Sequence, residues 1–131
     1  KLVVEPAGAV GVAALMEGVI ENPGTTAVIL SGGNIDPMLM LKVIQRGLYA
    51  SGRFMSVRIM LDDRPGSLAQ ISRIIAESDA NVTRVDHTRI GGSISMGDVA
   101  ITIDIETKGH EHCKQVLDNL RAEGFQPIVV H

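Results

Sequence analysis

Seven consecutive residues, Asp62-Asp63-Arg64-Pro65-Gly66-Ser67-Leu68, place two carboxylates and a guanidinium just before a Pro-Gly turn and the start of an apolar segment with helical spacing. A helix that begins there leaves its first backbone amides without intrahelical acceptors, and its dipole favours negative charge at that end. The chemistry this suits is recognition of a small carboxylate. Gly66 lets the backbone approach such a ligand closely. Acid-base catalysis by Asp62 and Asp63 is not expected, because adjacent residues at a strand end point apart and Arg64 supplies a countercharge.

A second group is Ser31-Gly32-Gly33-Asn34, which follows the uninterrupted apolar run Ala27-Val28-Ile29-Leu30 and has Glu5-Pro6-Ala7-Gly8-Ala9 upstream. In open α/β sheets ligands sit beyond the carboxyl ends of strands, where Ser31 falls, and its hydroxyl can donate to or accept from a ring nitrogen. Taken alone, the tetrapeptide equally fits an ordinary glycine turn leading into a helix. His110-Glu111-His112-Cys113 has metal-ligating residue types without the spacing. On a helix, positions two apart diverge by about 200°, and Cys113 falls on an apolar stripe, so no metal site is expected. His87, near Asp86 and Arg89, reads as a surface or interface residue whose functional alternative is to neighbour a bound effector.

The elements that must carry these groups fall in two unlike stretches, residues 1–52 and 53–131, joined at Ser51-Gly52. Between Ala7 and Ile20 the only charge is Glu17, which predicts a helix apolar on nearly every side, with Gly and Ala residues that invite close packing. Ala27 to Leu30 reads as a central parallel strand covered on both faces. Asp36-Pro37 predicts the N-cap and first position of a helix reaching about Leu48. Two helices and one strand cannot close an α/β layer. This stretch is therefore expected to be the tail of a larger domain and to bury itself against another copy of the chain.

The second stretch alternates. Met55, Val57, Ile59 and Leu61 share one strand face, and Leu68, Ile71 and Ile75 follow at helical spacing. Residues 82–90 read as a second strand, in which the differing parity of Val82 and Val85 predicts a bulge or two-sided burial. Gly91 to Gly97 suits a hairpin loop. Val99, Ile101, Ile103 and Ile105 mark a third strand, Cys113, Val116, Leu117 and Leu120 a helix ending at Gly124, and Phe125–Val130 a fourth strand. The order is βαββαβ, a split βαβ plan with two helices over one face of an antiparallel sheet.

Composition narrows the function classes. The 131 residues carry a net charge of -3 with two Phe, one Tyr and no Trp, which supplies neither a basic footprint nor stacking platforms for nucleic acid. The lone Cys113 excludes an internal disulfide, and no uncharged apolar run reaches the ~18 residues of a membrane span. A soluble protein of the cytoplasm is expected. The chain begins at Lys1 without a signal-peptide pattern and reads as a piece of something longer.

Set between the first strand and helix of a βαββαβ unit, the turn Asp62 to Leu68 resembles the fingerprint of ACT domains, the amino-acid-sensing modules of metabolic enzymes. The resemblance implies an effector held at a domain interface by Asp63, Arg64, Pro65, Gly66, Ser67 and Leu68, together with Asn81 at the opening of the second strand. Some relatives carry Asn where this chain has Asp63, whose carboxylate attracts an ammonium and repels a carboxylate. The Ser31 group, the Glu5 segment and the domain that follows resemble, over essentially the whole chain, the C-terminal end of the pyridoxal-phosphate-dependent threonine dehydratases, or threonine ammonia-lyases, of fold type II.

That second resemblance implies an α/β fold class: residues 1–52 a remnant of the cofactor domain, and residues 53–131 an ACT domain with a ferredoxin-like sandwich. It implies that Ser31 faces the pyridine nitrogen of pyridoxal phosphate, with Gly32, Gly33 and Glu5 near the cofactor, in a parent enzyme that converts threonine to 2-oxobutanoate and ammonia. The family's cofactor-bonding lysine stands in a Ser-Phe-Lys context. None of Lys1, Lys42, Lys108 or Lys114 does, and the glycine-rich phosphate loop is missing, so the chain by itself is expected to be non-catalytic and without cofactor. The expected partners are a small amino acid (isoleucine, valine, threonine or serine) and further copies of the chain, with neither nucleic acid nor membrane. The alternative is a stand-alone amino-acid-binding or oligomerisation module.

Overall fold

A computed structural model of the chain describes residues 2–88 and 98–130. The chain divides into two compact units between Ile44 and Gln45.

In the first unit, α1 (Pro6–Met16) opens with proline in its first turn and stops short of Ile20, where the sequence pattern would carry it. Gly18, at φ +68°, turns the chain out of the helix. Gly8 and Gly11 share one face, and Val28 to Ser31 lies directly on it. A Cβ on Gly8 would fall 1.6 Å from the Ser31 carbonyl oxygen, and one on Gly11 would fall 2.7 Å from Val28 Cγ1. The small residues thus permit the close approach expected of them.

The strand expected at Ala27–Leu30 does not form. A strand exists only through a neighbour's hydrogen-bond ladder, and among the described residues every paired strand belongs to the second unit. α2 (Pro37–Ala50) opens as expected: Asp36 Oδ1 accepts from the Leu39 N–H at 2.9 Å and the Asp36 carbonyl accepts from the Met40 N–H at 2.9 Å. Val10, Met16, Met38, Val43 and Ile44 stand exposed, an apolar surface that the chain does not itself cover.

The second unit begins with the last residues of α2, from Gln45, and contains β1 (Phe54–Asp62), α3 (Ser67–Glu77), β2 (Asn81–Thr88), β3 (Asp98–Glu106), α4 (His110–Ala122) and β4 (Pro127–Val129). The sheet order is β2-β3-β1-β4, antiparallel throughout. Register sets Val57 opposite Ile103 and Ile59 opposite Ile101, so their side chains share the face on which Ile71, Ile75, Val116 and Leu120 pack from α3 and α4. All eight are essentially sealed from water, which accounts for the helical and alternating stripes in one core.

The parity mismatch in β2 resolves as a register shift between Val82 and Arg84. The fourth strand is shorter than expected. Phe125 is drawn onto the core, with its N–H donating to the Leu120 carbonyl at 3.1 Å. The loop expected at Gly91–Gly97 lies outside the described residues.

This topology has one consequence for the site. Asp62 pairs with Asp98 at one end of the sheet, whereas Phe54 pairs with Glu106, which pairs with Asn81, at the other. Because α3 runs back along the sheet, the β1–α3 turn and the start of β2 lie at opposite ends of one copy.

Candidate functional site

The β1–α3 turn is built from local bonds. The Arg64 N–H donates to the Asp62 carbonyl at 2.8 Å, and Ser67 Oγ donates to the Arg64 carbonyl at 3.1 Å. Arg64 also pairs with the Asp62 carboxylate at 2.9 Å, the countercharge expected of it, although both groups are well exposed and such a pair stabilises little. Gly66 caps α3 at φ +98° with no side-chain hydrogen bond to the helix amides. A Cβ there would meet nothing within 4 Å, so the backbone conformation, and not lack of space, calls for glycine.

This turn forms one side of a cleft of about 450 Å³ whose lining includes Asp63 to Leu68, Leu61, His87, Val99 and Ile101. The rim is polar: Asp63, His87 and the first amides of α3. The floor is apolar, with Val99 and Ile101 buried and Leu61 and Leu68 half-buried. A carboxylate at the helix start, an ammonium near Asp63 and a short aliphatic side chain on the floor would each meet matching chemistry.

Asn81 is elsewhere. It lines a cleft of about 550 Å³ at the opposite end of the sheet, together with Arg53, Asp79, Glu106, Thr107 and Lys108. Lys108 Nζ hydrogen-bonds to and pairs with Asp79, holding that carboxyl below the usual carboxylate range. The two α4 histidines serve different partners. The Lys108 N–H donates to His112 Nδ1 at 3.1 Å, which leaves Nε2 to donate to the Ser78 carbonyl at 2.6 Å, whereas His110 Nε2 contacts the Ala50 carbonyl at 3.1 Å. Among the described residues no three His, Cys, Asp or Glu side chains converge as metal ligands.

In the first unit the Glu5 segment and Ser31 to Gly33 are adjacent. The Glu5 N–H donates to the Gly32 carbonyl at 2.9 Å, and a Cβ on Gly32 would fall 2.2 Å from Glu5 Oε1. The four residues singled out in the sequence for that site are therefore neighbours in space.

With this geometry in place, residues 55–125 match the family model of the ACT domain. The chain belongs to the ACT domain family. It is also similar to L-threonine ammonia-lyase from Geobacter sulfurreducens, at 42% identity over 126 residues, covering 95% of this chain and 31% of that protein. The L-threonine ammonia-lyase of Thermotoga maritima is 36% identical over 130 residues, covering 99% of this chain and 32% of that protein. A biosynthetic L-threonine dehydratase from Halalkalibacterium halodurans is 34% identical over 126 residues, covering 95% of this chain and 30% of that protein. The chain thus spans about a third of the length of the curated relatives it matches.

Within the ACT domain, sequence reading found the loop side of the cleft and His87 as its possible neighbour, but not Leu61, Val99 or Ile101 as its floor. Their alternation marked them as core. Only the register that brings the β1 and β3 ends and the His87 end of β2 beside the turn makes them lining.

Proposed function

We propose that this chain is the regulatory portion of a threonine ammonia-lyase and that its ACT domain binds a small amino acid between two copies. The observation that carries the reading is the cleft at the β1–α3 turn, with a helix start and Asp63 at the rim and aliphatic side chains on the floor. Isoleucine and valine suit that division of polar and apolar surface, and threonine and serine would have to turn their hydroxyls to the polar rim.

A second copy supplies what the first lacks. β2 is at the edge of the sheet, and an edge strand is a ready template for pairing. Two β2 strands, Asn81–Thr88, paired antiparallel over their full length would set Asn81 of one copy beside Thr88 of the other. That position adjoins His87 and hence the cleft. Loop and Asn81 then belong to one site contributed by two chains, and ligand binding and pairing strengthen each other.

In the parent enzyme, Ser31 would offer its hydroxyl to the pyridine nitrogen of pyridoxal phosphate, bordered by Gly32, Gly33 and Glu5. Ser31 packs on Gly8 and Glu5 on Gly32, so the residues that would border the ring are held close to one another. When bound, the cofactor supplies the electron sink for elimination chemistry.

The test is a separate titration of the four amino acids while melting temperature and oligomer size are followed. At about 100 times its dissociation constant, an effector should stabilise the fold by about 2.7 kcal/mol and raise the paired fraction. If none of the four moves either quantity at millimolar concentration, the reading is wrong.

A further inference from the structure

The joint between α2 and the ACT domain is pinned. The Gly52 carbonyl accepts from Thr107 Oγ1 at 2.6 Å and from Cys113 Sγ at 3.2 Å, and the Thr107 N–H donates to the Arg53 carbonyl at 2.9 Å. Thr107 and Gly52 are both buried. Gly52 has φ +65°, and a Cβ on it would lie 2.6 Å from the His110 backbone nitrogen, so the joint touches the start of α4. The Ala50 carbonyl meets His110 Nε2, and the Tyr49 ring packs edge-on against Phe54 at 6.1 Å. A flexible linker would show none of this.

The pinned joint stands at the Asn81 end of the sheet. Asn81, Glu106 and Phe54 form one row of directly paired residues across β2, β3 and β1, and Phe54 ends that row against Tyr49 of α2. Arg53 and Thr107 line the same cleft as Asn81.

We propose that Thr107 is a positioning residue that latches residues 49–53 to the Asn81 end of the ACT sheet, so that effector contact with Asn81 is delivered to the C-terminal end of α2. The delivery half of this rests on the effector reading above; the latch does not. Coupling between sites requires an element whose state both of them bias. The latch is that element: closed, it makes the end of α2 part of the ACT domain, and open, it releases it.

Hydrogen exchange on the full chain reads the order of the latched segment at the Ser51, Gly52 and Arg53 amides, which donate to the Gly47, Tyr49 and Leu48 carbonyls and fray when the latch no longer holds the segment. Thr107→Val removes the hydroxyl at nearly constant volume and should speed exchange there about fivefold to tenfold without ligand, leaving Val57 and Ile103 in the core unchanged. Thr107→Ser keeps the hydroxyl and should restore protection. If Thr107→Val does not fold, Phe54→Leu removes the ring contact on the same segment and should give the same local acceleration. Unchanged exchange at residues 51–53 in the folded variant overturns the latch.

Adding the amino acid that shifts wild-type melting should slow these amides in the wild type and not in Thr107→Val. A melting shift with no response at residues 51–53 overturns the delivery. If no amino acid shifts wild-type melting, the effector reading and the delivery built on it fail together, and the ligand-free comparison still decides the latch.

Discussion

Incubated with threonine and pyridoxal phosphate, the purified 131-residue chain is expected to release no ammonia above a buffer blank and to develop no new absorbance band. The cofactor's carbonyl chemistry needs a lysine amine placed at its aldehyde and a phosphate cradle that fixes the ring. Lys42 lies within α2, Lys108 two residues before α4, and Lys114 within α4 in the ACT domain. None stands in the Ser-Phe-Lys context that the family resemblance implies for a cofactor-bonding lysine. On the proposed reading, Ser31 would offer a single hydrogen bond to the ring, too little to anchor it. Measurable turnover by this chain would contradict the assignment of residues 1–52 as one edge of a larger cofactor site.

Gly66→Asp is expected to abolish ligand-induced stabilisation, a loss of about 2.7 kcal/mol at saturating effector. Two effects combine. The side chain is strained at φ +98°, and its carboxylate occupies the charge-favoured end of α3, where the ligand's own carboxylate would sit. Gly66→Ala separates them: the strain remains and the charge does not, and the open space around a Cβ leaves room for the methyl group. The alanine variant should therefore melt lower yet retain most of its ligand response, and the aspartate variant should lose that response. Equal responses in the two variants would place the carboxylate somewhere other than the α3 start.

What the sequence made legible, and what it did not, divides along a physical line. Strand β3 was plain because Val99, Ile101, Ile103 and Ile105 alternate on a half-buried surface, and the differing parity of Val82 and Val85 marked an irregularity in β2, a bulge or two-sided burial, of which the register shift is the outcome. The cap at Asp36 depends on four residues in a row and reads the same in sequence and structure. Ala27–Leu30 misled because a strand covered on both faces needs neighbouring ladders, and among the described residues none flanks it: Val28 packs on Gly11 of α1, while Ile29 and Leu30 stand exposed.

The site shows the same division. The β1–α3 turn is local and was legible in full. The cleft floor depends on which β1 and β3 residues register beside that turn, and no local pattern contains the register. Asn81 and the loop belong to one site only if a second chain is counted, because the length of α3 carries the start of β2 to the far end of the sheet.

That two-chain site is the central claim, and mixing variants tests it most directly. Chains carrying Gly66→Asp and chains carrying Asn81→Ala should each show no effector-induced melting shift alone. Mixed in equal amounts and allowed to exchange partners, they form pairs with one site broken on both sides and one site wholly intact. Effector titration of the mixture, followed by melting and ligand stoichiometry, should recover binding at about one site per mixed pair, with the wild-type dissociation constant. A mixture as unresponsive as its two components, or Asn81→Ala chains that respond fully on their own, would contradict a site shared between copies.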